Sequence, residues 1–248
     1  MRRLIRATVA VVFALAAAMG LGTPSAFAIQ GGDQLPNQRG TGVAQLWFDG
    51  WGGDQFICTA SVVGPTKVLT AAHCIDKTVL PQDYYVLVGS THRGEGTRIR
   101  VITWGTRFDL AVGTLKSTVV NLNDVRHVQI RATQLSPKVG EYMYAYGFGR
   151  TCRDCGPADY LKRARLRLLD MDRDAAGGPG YRMRGVLAFL WPKDSGGPLF
   201  REEDILTQYG VTSERRSNST IPEFYFARFD PNAMNWLNGM NVPVKTGW

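Results

Sequence analysis

The sequence predicts an all-β chain: two packed six-stranded antiparallel β-barrels followed by a C-terminal helix. Three observations carry this. Glycine is abundant, at 28 residues beside 12 prolines in a chain of 248. Short apolar runs are broken by turn residues roughly every ten positions, as in all-β domains. The runs also form two sets of similar size, separated by a stretch of mixed polarity.

The first set is Val43–Phe48, Phe56–Val63, Lys67–Thr70, Tyr84–Val88, Arg98–Thr103 and Leu110–Leu115. Each alternates or stays apolar over strand length, with Gly52-Gly53-Asp54 and Gly64-Pro65 as punctuation. About half a dozen strands can close a small barrel. Asn121 to Lys138, which contains Ser136-Pro137, is the expected crossing. The second set is Tyr142–Tyr146, Leu161–Leu169, Arg182–Phe189, Pro198–Phe200, Leu206–Ser213 and Glu223–Phe229. The tail Pro231–Asn238, with Met234, Trp236 and Leu237 among polar residues, is the expected helix. The predicted organisation is a removable signal peptide over 1–28, an N-terminal barrel over 29–130 and a C-terminal barrel with the helix over 131–248.

The leader has a basic start (Arg2, Arg3, Arg6), an apolar run from Val9 to Ala18 and a small-x-small site at Ala26-Phe27-Ala28. A permanent span needs roughly 20 apolar residues, so this run is too short. Arg2-Arg3 lacks the surroundings of a folded-export signal, which leaves ordinary secretion, and the leader has bacterial character. The expected location is therefore extracellular. Removing the leader lowers the formal net charge of +8 by three and takes no acid with it. The densest basic cluster, Lys162 to Arg167, alternates with apolar residues after Arg163 and reads as a strand with one solvated face, not a nucleic-acid stripe.

Four cysteines in a secreted chain allow three pairings of two disulfides. Cys58 and Cys74 flank the strand that leads to His73, which pairs them. Cys152 and Cys155 form a C-x-x-C without a βαβ context or a second ligand pair, so a local loop-closing bridge is expected.

Three strings carry chemistry: TAAHC at 70–74, FDLAV at 108–112 and KDSGGPLF at 193–200. A serine hydroxyl is a poor nucleophile near neutral pH, so it needs an imidazole to take its proton and a buried carboxylate to orient that imidazole. Ser195, His73 and Asp109 are the candidates. Of the three histidines, His92 sits in a polar loop and His127 in a mixed stretch, and both read as structural. The chain order histidine, aspartate, serine differs from the α/β-hydrolase and subtilisin orders. Gly196 and Gly197 let the backbone fold tightly enough for amides near the serine to face a developing oxyanion.

These strings resemble those of the trypsin-like (chymotrypsin-fold, S1 family) serine peptidases, and the likeness covers nearly all of the mature chain. It implies a secreted serine endopeptidase working through an acyl-enzyme on Ser195, with His73 as base and then acid. It supports the Cys58–Cys74 bridge. It implies an oxyanion hole from the amides of Lys193 and Ser195, and an activation pair between Asp194 and the α-ammonium of Ile29, since cleavage after Ala28 would leave Ile29-Gln30-Gly31-Gly32. No cofactor is expected. No metal is expected either, because the loop comparable to the family's calcium loop, Thr91 to Gly96, has a single acid.

The pattern also breaks. Lys193 stands where the family has glycine, and a positive φ there costs a non-glycine residue of order 1 kcal/mol. By resemblance Phe189 is the pocket floor, Trp191 replaces a bridging cysteine, and Ser213 supports the orienting aspartate. Glu214 and Arg215 stand where tryptophan and glycine are usual, and Glu223 where glycine is. Arg215 and Glu223 could pair across the pocket, either could dominate and select the opposite charge, or both could face solvent. Asn218-Ser219-Thr220 is a glycosylation-type triplet, of little weight beside a leader of bacterial character. A protein or peptide substrate is the expected partner, with room for a proteinaceous inhibitor, no nucleic acid, no membrane after leader removal, and a monomeric state. The rival is a protease-fold binding protein whose catalysis is weakened by Lys193 and the altered pocket.

Overall fold

The computed structural model describes residues 29–35, 41–50, 52–122, 125–131, 136–204, 206–216 and 221–245. The expected signal peptide and the Asn218 triplet lie outside the described residues.

A two-residue strand β1 (Asp33–Gln34) comes first. The first barrel follows: β2 (Val43–Gly50), β3 (Gly53–Gly64), β4 (Lys67–Ala71), β5 (Tyr84–Val88), β6 (Thr97–Arg107) and β7 (Leu110–Leu115), closed in the order β2-β3-β4-β7-β6-β5. Alternation explains β6, where Ile99 and Val101 face inward between exposed arginines. Strands β4 and β5 are buried throughout, β5 as a continuous apolar run and β4 around Val68, Leu69 and Ala71. Bulges at Leu46/Trp47, Val62/Gly64 and Val101/Thr103 bend the strands enough to close the ring.

β8 (Gln129–Arg131) lies inside the segment expected to be only a crossing. The second barrel is β9 (Tyr142–Gly147), β10 (Lys162–Arg173), β11 (Pro179–Gly185), β12 (Pro198–Arg201), β13 (Thr207–Arg216) and β14 (Glu223–Arg228). Its path β12-β9-β10-β11-β14-β13 closes through β12–β13 pairing. All twelve barrel strands pair antiparallel, as the sequence predicts. β10 alternates Ala164, Leu166 and Leu168 inward with Arg163, Arg165 and Arg167 outward. Arg163 lies over Tyr144 and Arg165 over Tyr142. The apolar run expected as one strand over Arg182–Phe189 stops at Gly185, because the chain leaves the sheet there to approach the site.

The helix α1 (Pro231–Gly239) starts where Asp230 accepts a hydrogen bond from Ala233 N at 2.8 Å and Pro231 fixes the first helical φ. Its Ala233 and Leu237 are buried in a core shared by both barrels, with Leu69, Val112, Phe200 and Val211. A second core inside the C-terminal barrel gathers Ile29, Leu166, Leu190 and Phe226. The tail strand β15 (Val244–Lys245) runs parallel to β8, which runs parallel to β13. No helix among the described residues is long and apolar enough to cross a membrane.

Candidate active site

The buried strand β4 runs into a one-turn 3-10 segment, Ala72–Cys74, that carries His73. The Cys58–Cys74 disulfide ties that turn to β3. The β4–β7 register sets Ala71 opposite Leu110, which brings Asp109 beside the turn. Ala72 N donates to Asp109 O at 3.1 Å, and His73 N to Asp109 Oδ1 at 3.0 Å. His73 Nδ1 lies 3.0 Å from both carboxylate oxygens. Asp109 is 1% exposed, and Ser213 Oγ donates to its Oδ2. The hydrogen bond to Asp109 raises the His73 pKa above its usual value against the desolvation that lowers it, with a smaller push from Glu214. Among the described residues no hydrogen bond joins Ser195 Oγ to the His73 ring. Catalytic contacts of this kind commonly tighten only when substrate is bound.

Ser195 sits on a tight turn between Asp194 and β12. The N–H groups of Asp194, Gly196 and Gly197 are bonded to Trp191 O, Thr212 O and Asp194 O at 2.8–3.1 Å. Those of Lys193 and Ser195 have no acceptor among the described residues. Two adjacent unspent donors are the chemistry an oxyanion needs. Gly196 has φ +82°, and a Cβ there would lie 2.0 Å from Thr70 Oγ1 and 2.2 Å from Thr59 O, so only glycine lets the serine turn press this closely on the first barrel. Thr59 N binds both Lys193 O and Ser195 O, at 3.1 and 3.0 Å. Lys193 adopts φ +83°, the strained conformation expected of it. Its Nζ donates to Phe56 O at 2.6 Å, which anchors the side chain to the other barrel.

Asp194 is fully buried, accepting from Gly149 N at 2.8 Å and Trp191 N at 2.9 Å. Gly147 and Gly149 are required here: a Cβ on either would lie within 2.5 Å of the carboxyl group. Ile29 is fully buried in the C-terminal core, and Gln30 bridges to Phe189 and accepts from Trp191 Nε1 at 3.2 Å. The segment beginning at Ile29 therefore docks on the wall that leads to Asp194. Burial pushes the Asp194 carboxyl up to about 7, against 3.8 for the free side chain. In a chain still continuous across residues 28 and 29, the unfolded state ionises from about pH 4 while the folded state holds its proton. Stability is therefore expected to fall as pH rises from about 4 to about 7 and then level off, by several kcal/mol. Urea unfolding across that window checks this, and Asp194→Asn is expected to flatten the slope.

Sequence reasoning missed Asp174. This third buried carboxylate accepts from Gly178 N at 2.7 Å, Ala176 N at 2.9 Å and Asp109 N at 3.3 Å. Burial is the main reason its pKa is raised. Ala175 N donates to Ser213 Oγ at 2.9 Å, so one loop holds both Asp109 and the serine that supports it. Phe108, at φ +48°, packs where a Cβ on Gly178 would lie only 2.5 Å away.

A cleft of about 700 Å³ opens beside Ser195, lined by Leu190, Trp191, Thr212, Phe224, Arg153 and Arg215 among others, with Ser213 at its edge. The sequence expectation for its floor needs correcting. Phe189 is half-buried against the C-terminal core and its N–H is held by Gln30 O, so Leu190 faces the cleft instead. Glu223 does not line the cleft either: the β11–β14 register places it beside Arg182 and Arg184, which it pairs at 3.4 and 3.2 Å. Arg215 does line it, with its guanidinium 4.5 Å from the Trp191 ring centre. Glu214 is ion-paired with Arg216. Cys152 and Cys155 are bridged, which closes the loop that carries Arg153. Cys58, His73 and Cys74 group closely enough to suggest a metal site, but the two sulfurs are bonded to each other and offer no thiolate.

A protein-family model described as Trypsin matches residues 29–237. Among solved structures, the crystal structure of a scabies mite inactivated protease paralogue is similar over 86% of this chain and 99% of its own, with a TM-score of 0.67 at 18% identity. At that identity the likeness is one of fold.

Proposed function

Because the chain belongs to the trypsin family, we propose that it is a secreted serine endopeptidase that hydrolyses peptide bonds through an acyl-enzyme on Ser195. The observation that carries this reading is the pairing of the Asp109–His73 couple with the unspent amides of Lys193 and Ser195. In the proposed reaction Ser195 Oγ attacks the scissile carbonyl carbon while His73 Nε2 takes its proton. Nδ1–H stays on Asp109, which holds the tautomer and stabilises the imidazolium. The carbonyl oxygen, now anionic, is met by the two amides. Collapse breaks the C–N bond, and His73 returns the proton to the leaving amine. Water then attacks the acyl ester by the same route and restores the serine.

Signal peptidase cleavage after Ala28 is proposed to create the Ile29 ammonium directly, to pair with Asp194, without a separate zymogen step. Sequencing the N-terminus of the secreted protein checks this; a start elsewhere would rule it out. The proposed partner is a protein or peptide substrate, and the proposed state a monomer.

The competing reading, a protease-fold binding protein, is favoured by the open Ser195–His73 link and by Arg215 at the cleft. A fluorophosphonate probe separates the two. Labelling at Ser195 that vanishes in His73→Ala is the expected result. A folded protein that takes up no label would support the binding protein.

A further inference from the structure

Among the described residues, Arg98, Arg100, Arg163, Arg165, Arg182, Arg184 and Arg201 each meet a carboxylate within 3.4 Å, while others such as Arg167 and Arg228 meet none. Two of the unmatched arginines line the cleft. Among the described residues, neither Arg153 nor Arg215 has an acid at ion-pair distance, and both are exposed. Arg215 is held in place by the Trp191 ring rather than by a counter-charge. Arg153 projects from the loop closed by the Cys152–Cys155 bridge. The acid that lines the same cleft, Glu214, is occupied by Arg216. Glu223, the other acid that could have balanced them, is held between Arg182 and Arg184.

We infer that the cleft selects acidic peptides: a substrate carboxylate is bound by Arg215 and Arg153 at the mouth, while Leu190, Trp191 and Phe224 take an adjacent apolar group. This rests on the reading of the cleft as the substrate site beside Ser195. Two guanidiniums without an internal partner leave a positive field that a glutamate or aspartate side chain neutralises, with charge-assisted hydrogen bonds that an isosteric amide cannot match. A basic side chain would face the same two guanidiniums, and the acid in the cleft, Glu214, is already paired with Arg216, so basic peptides are disfavoured. The apolar interior explains why the acid binds at the mouth: an ion driven onto Leu190 and Phe224 would lose its water with nothing in return.

The test uses binding, so that it does not depend on turnover. Fluorescent peptides identical except for glutamate or glutamine at successive positions are titrated against full-length secreted Ser195→Ala protein. At one position or more the glutamate peptide is expected to bind about tenfold or more tightly. That advantage is expected to shrink with rising salt. It is also expected to collapse in Arg215→Ala, weaken in Arg153→Ala and survive in part in Arg215→Lys, which keeps the charge and controls for folding. Equal binding of glutamate and glutamine peptides at every position overturns the inference, as does a preference that survives both alanine substitutions. Fluorophosphonate labelling of the unsubstituted protein keeps the two readings apart. Labelled protein without acidic preference loses this inference alone. Unlabelled protein that keeps the preference loses peptidase activity alone.

Discussion

Replacing His73 by alanine is expected to lower the turnover of a peptide or ester substrate by about 10⁵- to 10⁶-fold. The reason is that three tasks end on one ring. In the proposed reaction Nε2 accepts the Ser195 proton, Nδ1 is bound by Asp109 at 3.0 Å, and the protonated ring later gives its proton to the leaving amine. Without it the hydroxyl must lose its proton to water, while a carboxylate only 1% exposed loses the ring N–H that it accepts from. The residual rate would come from the Lys193 and Ser195 amides and from the cleft, which the substitution leaves in place. KM is therefore expected to move far less than kcat. Steady-state assays of purified, folded variant check this, and a loss below tenfold would remove His73 from the chemistry. The unsubstituted protein should show the matching pH profile. Imidazolium cannot accept a proton, and the Asp109 hydrogen bond raises this pKa, so activity is expected to rise with pH through a limb above 6.5. Since Glu214 adds to the upward shift, Glu214→Gln is expected to move the limb down.

The second large effect is expected at Asp174, a positioning residue. Asp174→Ala would leave the N–H groups of Gly178, Ala176 and Asp109 without their acceptor. Each buried donor left unpaired costs about 1–3 kcal/mol, less where water can follow. A total of roughly 2–4 kcal/mol corresponds to a fall of about 5–15 °C in Tm for a chain of this size. The same loop supplies the Ala175 N–H to Ser213 Oγ, so the fault should spread to the carboxylate that orients His73. At a temperature where the variant is folded, kcat is expected to fall and the His73 limb to shift, with KM little changed. A merely structural role would lower Tm and leave that limb in place. Asp174→Asn keeps one acceptor oxygen and is expected to recover most of the stability.

The parts of the site that are legible in the sequence are those whose chemistry is local. TAAHC and KDSGGPLF place a histidine after a buried strand and a serine on a glycine turn, and each folds as the string implies. The twelve barrel strands are legible because burial on one face or both leaves a pattern of two or an unbroken run. β1, β8 and β15 are not, since two or three residues carry no period and exist only because neighbouring edges accept them. Asp174 reads as an ordinary turn aspartate before Ala175-Ala176-Gly177-Gly178; what it supports is contributed by a segment 65 positions earlier. The places of Phe189 and Glu223 are not legible for a related reason. Counting back from Ser195 fixes neither which side of the departing chain faces the cleft nor that cross-strand arginines capture the glutamate.

The placement of the two bridges has its own consequence. Cys58–Cys74 is buried and staples the segment that carries the imidazole, whereas Cys152–Cys155 is half-buried and closes the loop that brings Arg153 to the cleft. A thiol reductant therefore meets the Arg153 loop before the imidazole turn, so partial reduction is expected to loosen the hold on an acidic peptide while the His73–Asp109 couple still stands.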